Sequence, residues 1–441
     1  MEKRTKVACV KGPLPGPRSR ALLERWQKVE AQCTGFQAPV VWDRARGVVV
    51  HDVDGNTFLD WTSGVLVTNV GHCHPDLVRA LQQASEKLLN NYECANEPRV
   101  LAAEKLISVT PPHLDQCFFL STGSEAVEAA LRIMKRHSGN WEVVSFYGAF
   151  HGRTYAAAAA GGLPGPKKGY GPTLPGAIRV PYPYCYRCPF RANPDSCGLL
   201  CLEFLDDVVR AESTGSLAGV IVEPYQGAAG FIFPPQGWLK RLEQWIRARG
   251  ILFTLDEVQA SFGRTGKFWA LEWEGLQPDL LCIGKGIGSS VPVSAIAARG
   301  EVIGVLGPGE MSSTMGGNPV CSAAVTAVIE ILQREGLVEN ARRMGELFQA
   351  RLREIQERSP YVGDVRGMGL VFGVELVKDK TTKEPAPELT RRLIGLAAEE
   401  GLLIGSVGVF GNVIRVAPPL VITEAEAHES LDLFEAALAK L

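Results

Sequence analysis

Residues 251–292, ILFTLDEVQASFGRTGKFWALEWEGLQPDLLCIGKGIGSSVP, contain two short apolar runs, 251–255 and 280–283, separated by a loop rich in Gly. Each run stops abruptly at a polar residue, the pattern of a short buried strand bounded by turn formers. The first strand delivers Asp256 at its tip and the second delivers Lys285. In an open α/β sheet the carboxyl ends of the strands are where ligands sit. A carboxylate and an amine presented there together point to a reactive site rather than a salt bridge. Taken alone, the two residues would more often be a structural ion pair on a sheet edge.

Working outward, further apolar runs at 116–120, 143–146, 219–222 and 293–297 alternate with helical patterns at 124–137 and 238–249. That alternation predicts a parallel sheet with crossover helices. Upstream, 19–32 carries a helical stripe opened by Ser19, and 48–60 reads as a hairpin turning at Asp54-Gly55. Downstream of Pro319 come a long helical stretch, a second helix to about 358, a strand-like alternation in GDVRGMGLVFGVELV, another helix and a strand around 412–417. The expected division is 1–60 as an N-terminal arm and hairpin belonging to the small domain, 61–320 as the large domain, and 321–441 as the C-terminal small domain.

Composition narrows the partners. A net charge of −2 and a pI near 6.4 give no general attraction to nucleic acid or an anionic membrane, so the partner is expected to be a small molecule. The basic start breaks into Pro and Gly before any apolar core forms, and no apolar run approaches the roughly 20 residues of a membrane span, so a cytoplasmic protein is expected. The eleven cysteines fit reduced thiols. Cys185, Cys188, Cys197 and Cys201 are spaced so that zinc, disulfides or plain thiols all remain open, and no metal is assigned. His72 and His74 also have ligand-like spacing, but a capped turn explains them as well.

The succession Asp256-Glu257-Val258-Gln259, Gly263-Arg264-Thr265-Gly266, Pro278-Asp279 and Gly284-Lys285-Gly286 resembles the signature of the class III (omega or 4-aminobutyrate-type) aminotransferases. These are pyridoxal 5'-phosphate (PLP) enzymes of fold type I. The resemblance implies an α/β fold, with a large, mostly parallel seven-stranded-type sheet domain and a small α+β domain. It implies that Lys285 holds PLP as a Schiff base and moves a proton, while Asp256 keeps the ring nitrogen protonated so that the ring becomes an electron sink.

The cofactor residues come partly from local reading. The strand, turn and helix start at 118–125 free backbone N–H groups at a helix N-terminus for a phosphate, with Gly123 allowing close approach and Ser124 adding a hydroxyl. The resemblance adds Phe150 stacked on the ring, His151 beside it, Val258 on the other face and Gln259 at the ring hydroxyl. It also adds Thr314, whose hydroxyl would reach the phosphate of a neighbouring subunit and so implies a homodimer. For the substrate it offers Arg153, gripping a distal carboxylate, and Arg415, pairing with Glu223 until an α-carboxylate takes its place. Val65 stands where ornithine-specific members carry Tyr, and Ala228 and Ala229 replace a more usual acidic and small pair.

The expected reaction moves an amino group from an ω-amino acid, amine or α-amino acid to 2-oxoglutarate or pyruvate. An alternative is a broad-specificity amino-acid racemase. A subgroup including such racemases shares the PGP-containing start, VPYP, GDVRGMGL and IRVAPPL segments of this chain.

Overall fold

The apolar runs pair as a seven-stranded sheet in a computed structural model that describes residues 6–34 and 37–441. Its strands are β1 (Gln116–Leu120), β2 (Glu142–Phe146), β3 (Ala177–Val180), β4 (Leu217–Val222), β5 (Leu252–Asp256), β6 (Leu280–Ile283) and β7 (Ser294–Ala298). They lie in the order β1-β7-β6-β5-β4-β2-β3. β7 runs antiparallel to both its neighbours, and every other pairing is parallel. All residues of β2, β5, β6 and β7 are buried. Strands covered on both faces read as unbroken apolar runs, which is why their sequences do not alternate. β3 escaped the sequence reading because it is a four-residue edge strand of alternating burial, with Arg179 inside it.

Helix α1 (Gly123–Ser138) follows β1. Thr122 caps it reciprocally with Glu125, and Lys135, Arg136 and His137 occupy its last turn, where cations suit the helix dipole. Its small and branched face, Ala126, Val127, Ala130 and Ile133, is fully buried in a core shared with Ile221, Leu280 and Ile296. Burying each larger side chain of that set contributes roughly 2 kcal/mol. Helices α2 (Leu200–Glu212) and α3 (Trp238–Ala248) lead to β4 and β5.

By internal contacts the chain divides into two units. The sheet belongs to the unit made of Asp76–Gly263 and Lys267–Glu335; the other comprises Met1–Pro75, Arg264–Gly266 and Gly336–Leu441. This division puts 61–75 with the N-terminal hairpin and keeps the helix Pro319–Arg334 with the large sheet.

The second unit holds two four-stranded sheets. One joins Trp42–Arg46, Val49–Asp52, Thr57–Asp60 and Leu402–Leu403, so the expected hairpin is present with a further strand on each side. The other joins Val362–Met368, Val371–Leu376, Val413–Val416 and Gly405–Val407. The alternation read as one strand in 363–377 is therefore two strands, folded back at Gly369 with φ +56°.

Two other expectations change. The first helix is Pro17–Val29, opened by Gly16 and Pro17 rather than capped by Ser19, whose backbone N–H donates to Asp54 Oδ2. His72 is not merely part of a turn, because its Nε2 lies 2.8 Å from the buried Asp60 carboxylate. Residues 1–5 of the irregular start lie outside the described residues.

Candidate active site

Parallel pairing sets Asp256 opposite Cys282, so β5 ends in the carboxylate while β6 runs on through Ile283 to Gly284 and Lys285. Both Asp256 and Lys285 line a single cavity of about 230 Å³ at the carboxyl ends of these strands. Lys285 is half-buried and holds φ +48°, a left-handed conformation that costs a non-glycine residue energy and recurs where a side chain must be aimed.

The Asp256 carboxylate is fixed from two sides. Oδ1 accepts the Val258 N–H at 3.1 Å, and Oδ2 lies 2.7 Å from His151 Nδ1. Burial alone would push the His151 pKa down. The hydrogen bond and charge of Asp256, helped by Glu223, carry it above its ordinary value. A charged imidazole is thus favoured behind the carboxylate and holds it in place. His151 Nε2 is buried with no hydrogen-bond partner among the described residues.

Glu223 sits at the end of β4 and also lines the cavity. Its oxygens accept the N–H groups of Phe150 at 2.9 Å and Gly227 at 3.1 Å. Burial pushes its carboxyl up to about 7, with the His151 charge lowering it and the Asp256 charge raising it. Glu257, its side chain turned from the cavity to the Ala270 and Leu271 N–H groups, is pushed by burial to about 8.

Thr122, Gly123 and Ser124 form the cavity wall at the start of α1. As the first two helical residues, Gly123 and Ser124 have no carbonyl one turn earlier to receive their N–H groups, so these donors and the helix dipole suit an anion. Gly123 is required by packing, since a Cβ there would lie 2.8 Å from Val258 Cγ1. Ser124 Oγ accepts the Arg153 N–H, and a Cβ on Gly152 would meet it at 2.5 Å. Gln259 Oε1 is buried without a partner among the described residues, and Gly227 leaves room for that amide, since a Cβ there would sit 1.8 Å from Oε1.

These groups fit PLP. The helix start offers donors for a phosphate, Phe150 and Val258 are flat and branched apolar walls, and Gln259 holds an unused acceptor. Asp256 and Lys285 supply an acid for a ring nitrogen and an amine for an aldehyde. The cavity therefore gathers Gly123, Ser124, Phe150, His151, Glu223, Asp256, Val258, Gln259 and Lys285 from the sequence expectations. It does not gather Thr314, which is exposed on the loop before the helix Pro319–Arg334, or Arg153, whose guanidinium lies 5.7 Å from the Phe150 ring centre. Arg153 instead lines a neighbouring hollow of about 320 Å³ with Tyr155, Lys167 and Tyr170.

Val65 and Arg415 belong to the other unit. Val65 is exposed with φ +95°. Arg415 is buried in its strand, donates to Gln37 Oε1 at 3.1 Å, and is pushed down by burial to about 10 while Asp60 raises it. Its Nε has no partner among the described residues.

The sequence reading missed Tyr225, Ala260 and Gly152 as lining residues, and the positioning of Gln259 by Gly227. The run EPYQGAAG held the signal for Tyr225 and Gly227, because Gly beside a strand end marks a close approach.

Comparison with known proteins agrees with this chemistry. A profile of the class-III aminotransferases matches residues 32–438. An alanine/serine racemase of Pyrococcus horikoshii is 37% identical, with 96% of this chain and 91% of that protein covered. A 4-aminobutyrate aminotransferase of Mycobacterium bovis is 38% identical, with 97% of each chain covered. An amine transaminase from an uncultivated Pseudomonas species, solved in its PLP-bound form, superposes with a TM-score of 0.88 at 29% identity, covering 94% of this chain and 98% of that one. With the fold, the cavity and nearly the whole length in agreement, the chain belongs to the class-III aminotransferases, which are PLP-dependent.

Proposed function

We propose that this aminotransferase carries an amino group from an ω-amino acid, amine or α-amino acid to 2-oxoglutarate or pyruvate, with Lys285 and Asp256 as its two catalytic residues. The observation that carries this assignment is their meeting in one cavity, with the acid held by His151 at 2.7 Å. Bound PLP supplies an aldehyde for the amine and a ring that takes up an electron pair. Lys285 Nζ would hold the cofactor through its aldehyde and, when free, would accept and return a proton. Asp256, fixed beside His151, would stabilise positive charge on a ring nitrogen. Gly123 and Ser124 would hold its phosphate, Phe150 and Val258 would flank its ring, and Gln259 would take its ring hydroxyl.

Glu223 and Arg415 select the substrate by opposite charge. Arg415 grips an α-carboxylate when one is present, and Glu223 neutralises it otherwise. Arg153 receives the distal carboxylate of a dicarboxylic partner. The working form is a cytoplasmic homodimer in which Thr314 reaches the phosphate of the partner subunit. Exposure of Thr314 supports that role, as a hydroxyl serving another chain has to face outward.

The racemase reading draws its support from the Pyrococcus horikoshii relative. Racemisation returns the proton to the opposite face of the substrate carbon and profits from a second acid or base there. This cavity has Ala228 on its wall, and its two carboxylates are Asp256, held by His151, and Glu223, which accepts the Phe150 and Gly227 N–H groups. One enantiomer incubated with and without a keto acid separates the readings. Amino transfer that requires the keto acid supports the aminotransferase, whereas the opposite enantiomer appearing at a comparable rate without it supports the racemase.

A further inference from the structure

Between β3 and α2, residues 181–199 contain only one short regular element, the 3-10 turn Cys185–Arg187. An irregular connection of this length calls for something that fastens it. One fastening is aromatic, Phe190 lying edge-on to Phe204 of α2 with ring centres 5.3 Å apart. The other candidate is a set of four half-buried thiols, Cys185, Cys188, Cys197 and Cys201, none in a disulfide and none used by the reaction.

All four line one hollow of about 30 Å³, against Phe190 and Pro235. That is more than the roughly 10–15 Å³ of accessible space one water needs, so a single ion has room. Cys185 and Cys188 bracket the 3-10 turn as C-x2-C, while Cys201 lies in the first turn of α2, where the helix dipole favours a thiolate.

We propose that these four cysteines bind one Zn²⁺ as a structural tetrathiolate site, separate from the PLP cavity, that ties the 181–199 connection to α2. Binding forms four Zn–S bonds and releases four thiol protons to solvent. No three of the four sulfurs lie within 4.8 Å of one another, so binding requires the thiols to draw together.

Metal analysis of the holoenzyme, purified without chelators, tests this. The expected result is about one zinc per chain, falling to less than about a tenth in the Cys185→Ser/Cys197→Ser variant, with transamination at low temperature kept within about twofold. The variant should also unfold at lower temperature. Should it fail to fold, Co²⁺ exchanged into the wild-type enzyme is expected to give intense thiolate-to-cobalt charge-transfer absorption. Zinc well below stoichiometry in the wild type, zinc retained by the variant, no such cobalt band, or disulfides found among these four residues by mass mapping would each overturn the proposal.

Discussion

At the residue scale, function rests on side chains whose freedom has been removed. Asp256 is held by Val258 N–H and His151, and Lys285 by a left-handed backbone. Asp256→Asn breaks the charge pairing with His151 while keeping the shape. It is expected to lower kcat by about 10²–10³-fold, the usual loss when a fixed electrostatic stabiliser is neutralised; a loss under tenfold would contradict the assigned role. Gly123→Ala places a Cβ 2.8 Å from Val258 Cγ1 at the turn proposed to hold the phosphate. Overpacking there should weaken PLP binding about tenfold or more, read from a cofactor titration of the apoenzyme. Unchanged affinity would move the phosphate elsewhere. Sequence made Lys285, Asp256 and the helix start legible, because each sits where an apolar run ends. The His151–Asp256 contact was not legible as geometry, since 105 residues separate the two. Glu257 shows the reverse, a motif residue that turns away from the cavity to secure the 3-10 turn Ala270–Trp273.

At the element scale, the central strands were readable and the edges were not. β5 and β6 announce themselves as unbroken apolar runs, whereas β3 alternates and carries an Arg. The GDVRGMGL segment misled because its two strands share one alternation across the turn. The glycine making that turn is tightly constrained, as a Cβ on Gly369 would lie 2.3 Å from the Thr265 carbonyl carbon. Gly369→Ala is therefore expected to destabilise by more than about 2 kcal/mol, combining positive φ with a backbone clash, and to lower the melting temperature. A melting temperature equal to wild type would refute the turn geometry. Arg264 of the GRTG motif is wholly buried and donates to the Leu370 and Pro418 carbonyls and to Asn69 Oδ1. It braces its unit rather than touching the cavity. Arg264→Lys, which cannot spread a fork across three acceptors, should cost roughly 2–4 kcal/mol of stability.

At the scale of the whole molecule, burying ionisable groups makes stability depend on pH. Glu223 and Glu257 keep protons in the folded chain up to about 7 and about 8, and the His151 pKa is raised as well. In each case the folded state holds a proton that the unfolded state has released, so stability falls as pH rises. For the two carboxyls it falls from their ordinary range of about 4.5 up through 7 and 8, and for His151 from its ordinary value of about 6.5 upward. Glu223 alone accounts for a change on the order of 3 kcal/mol. The melting temperature of the apoenzyme is expected to drop between pH 6 and pH 9, and a rise over that interval would contradict the burial of these groups. The two-unit division was only partly legible, since 264–266 returns to the unit of the termini through Arg264, a connection that local pattern does not encode. The most direct test of the central claim is to reduce the PLP-loaded enzyme with borohydride, digest it and map the pyridoxyl phosphate tag by mass. The account predicts the tag on Lys285 alone; a tag on any other lysine, with Lys285 unmodified, would contradict it.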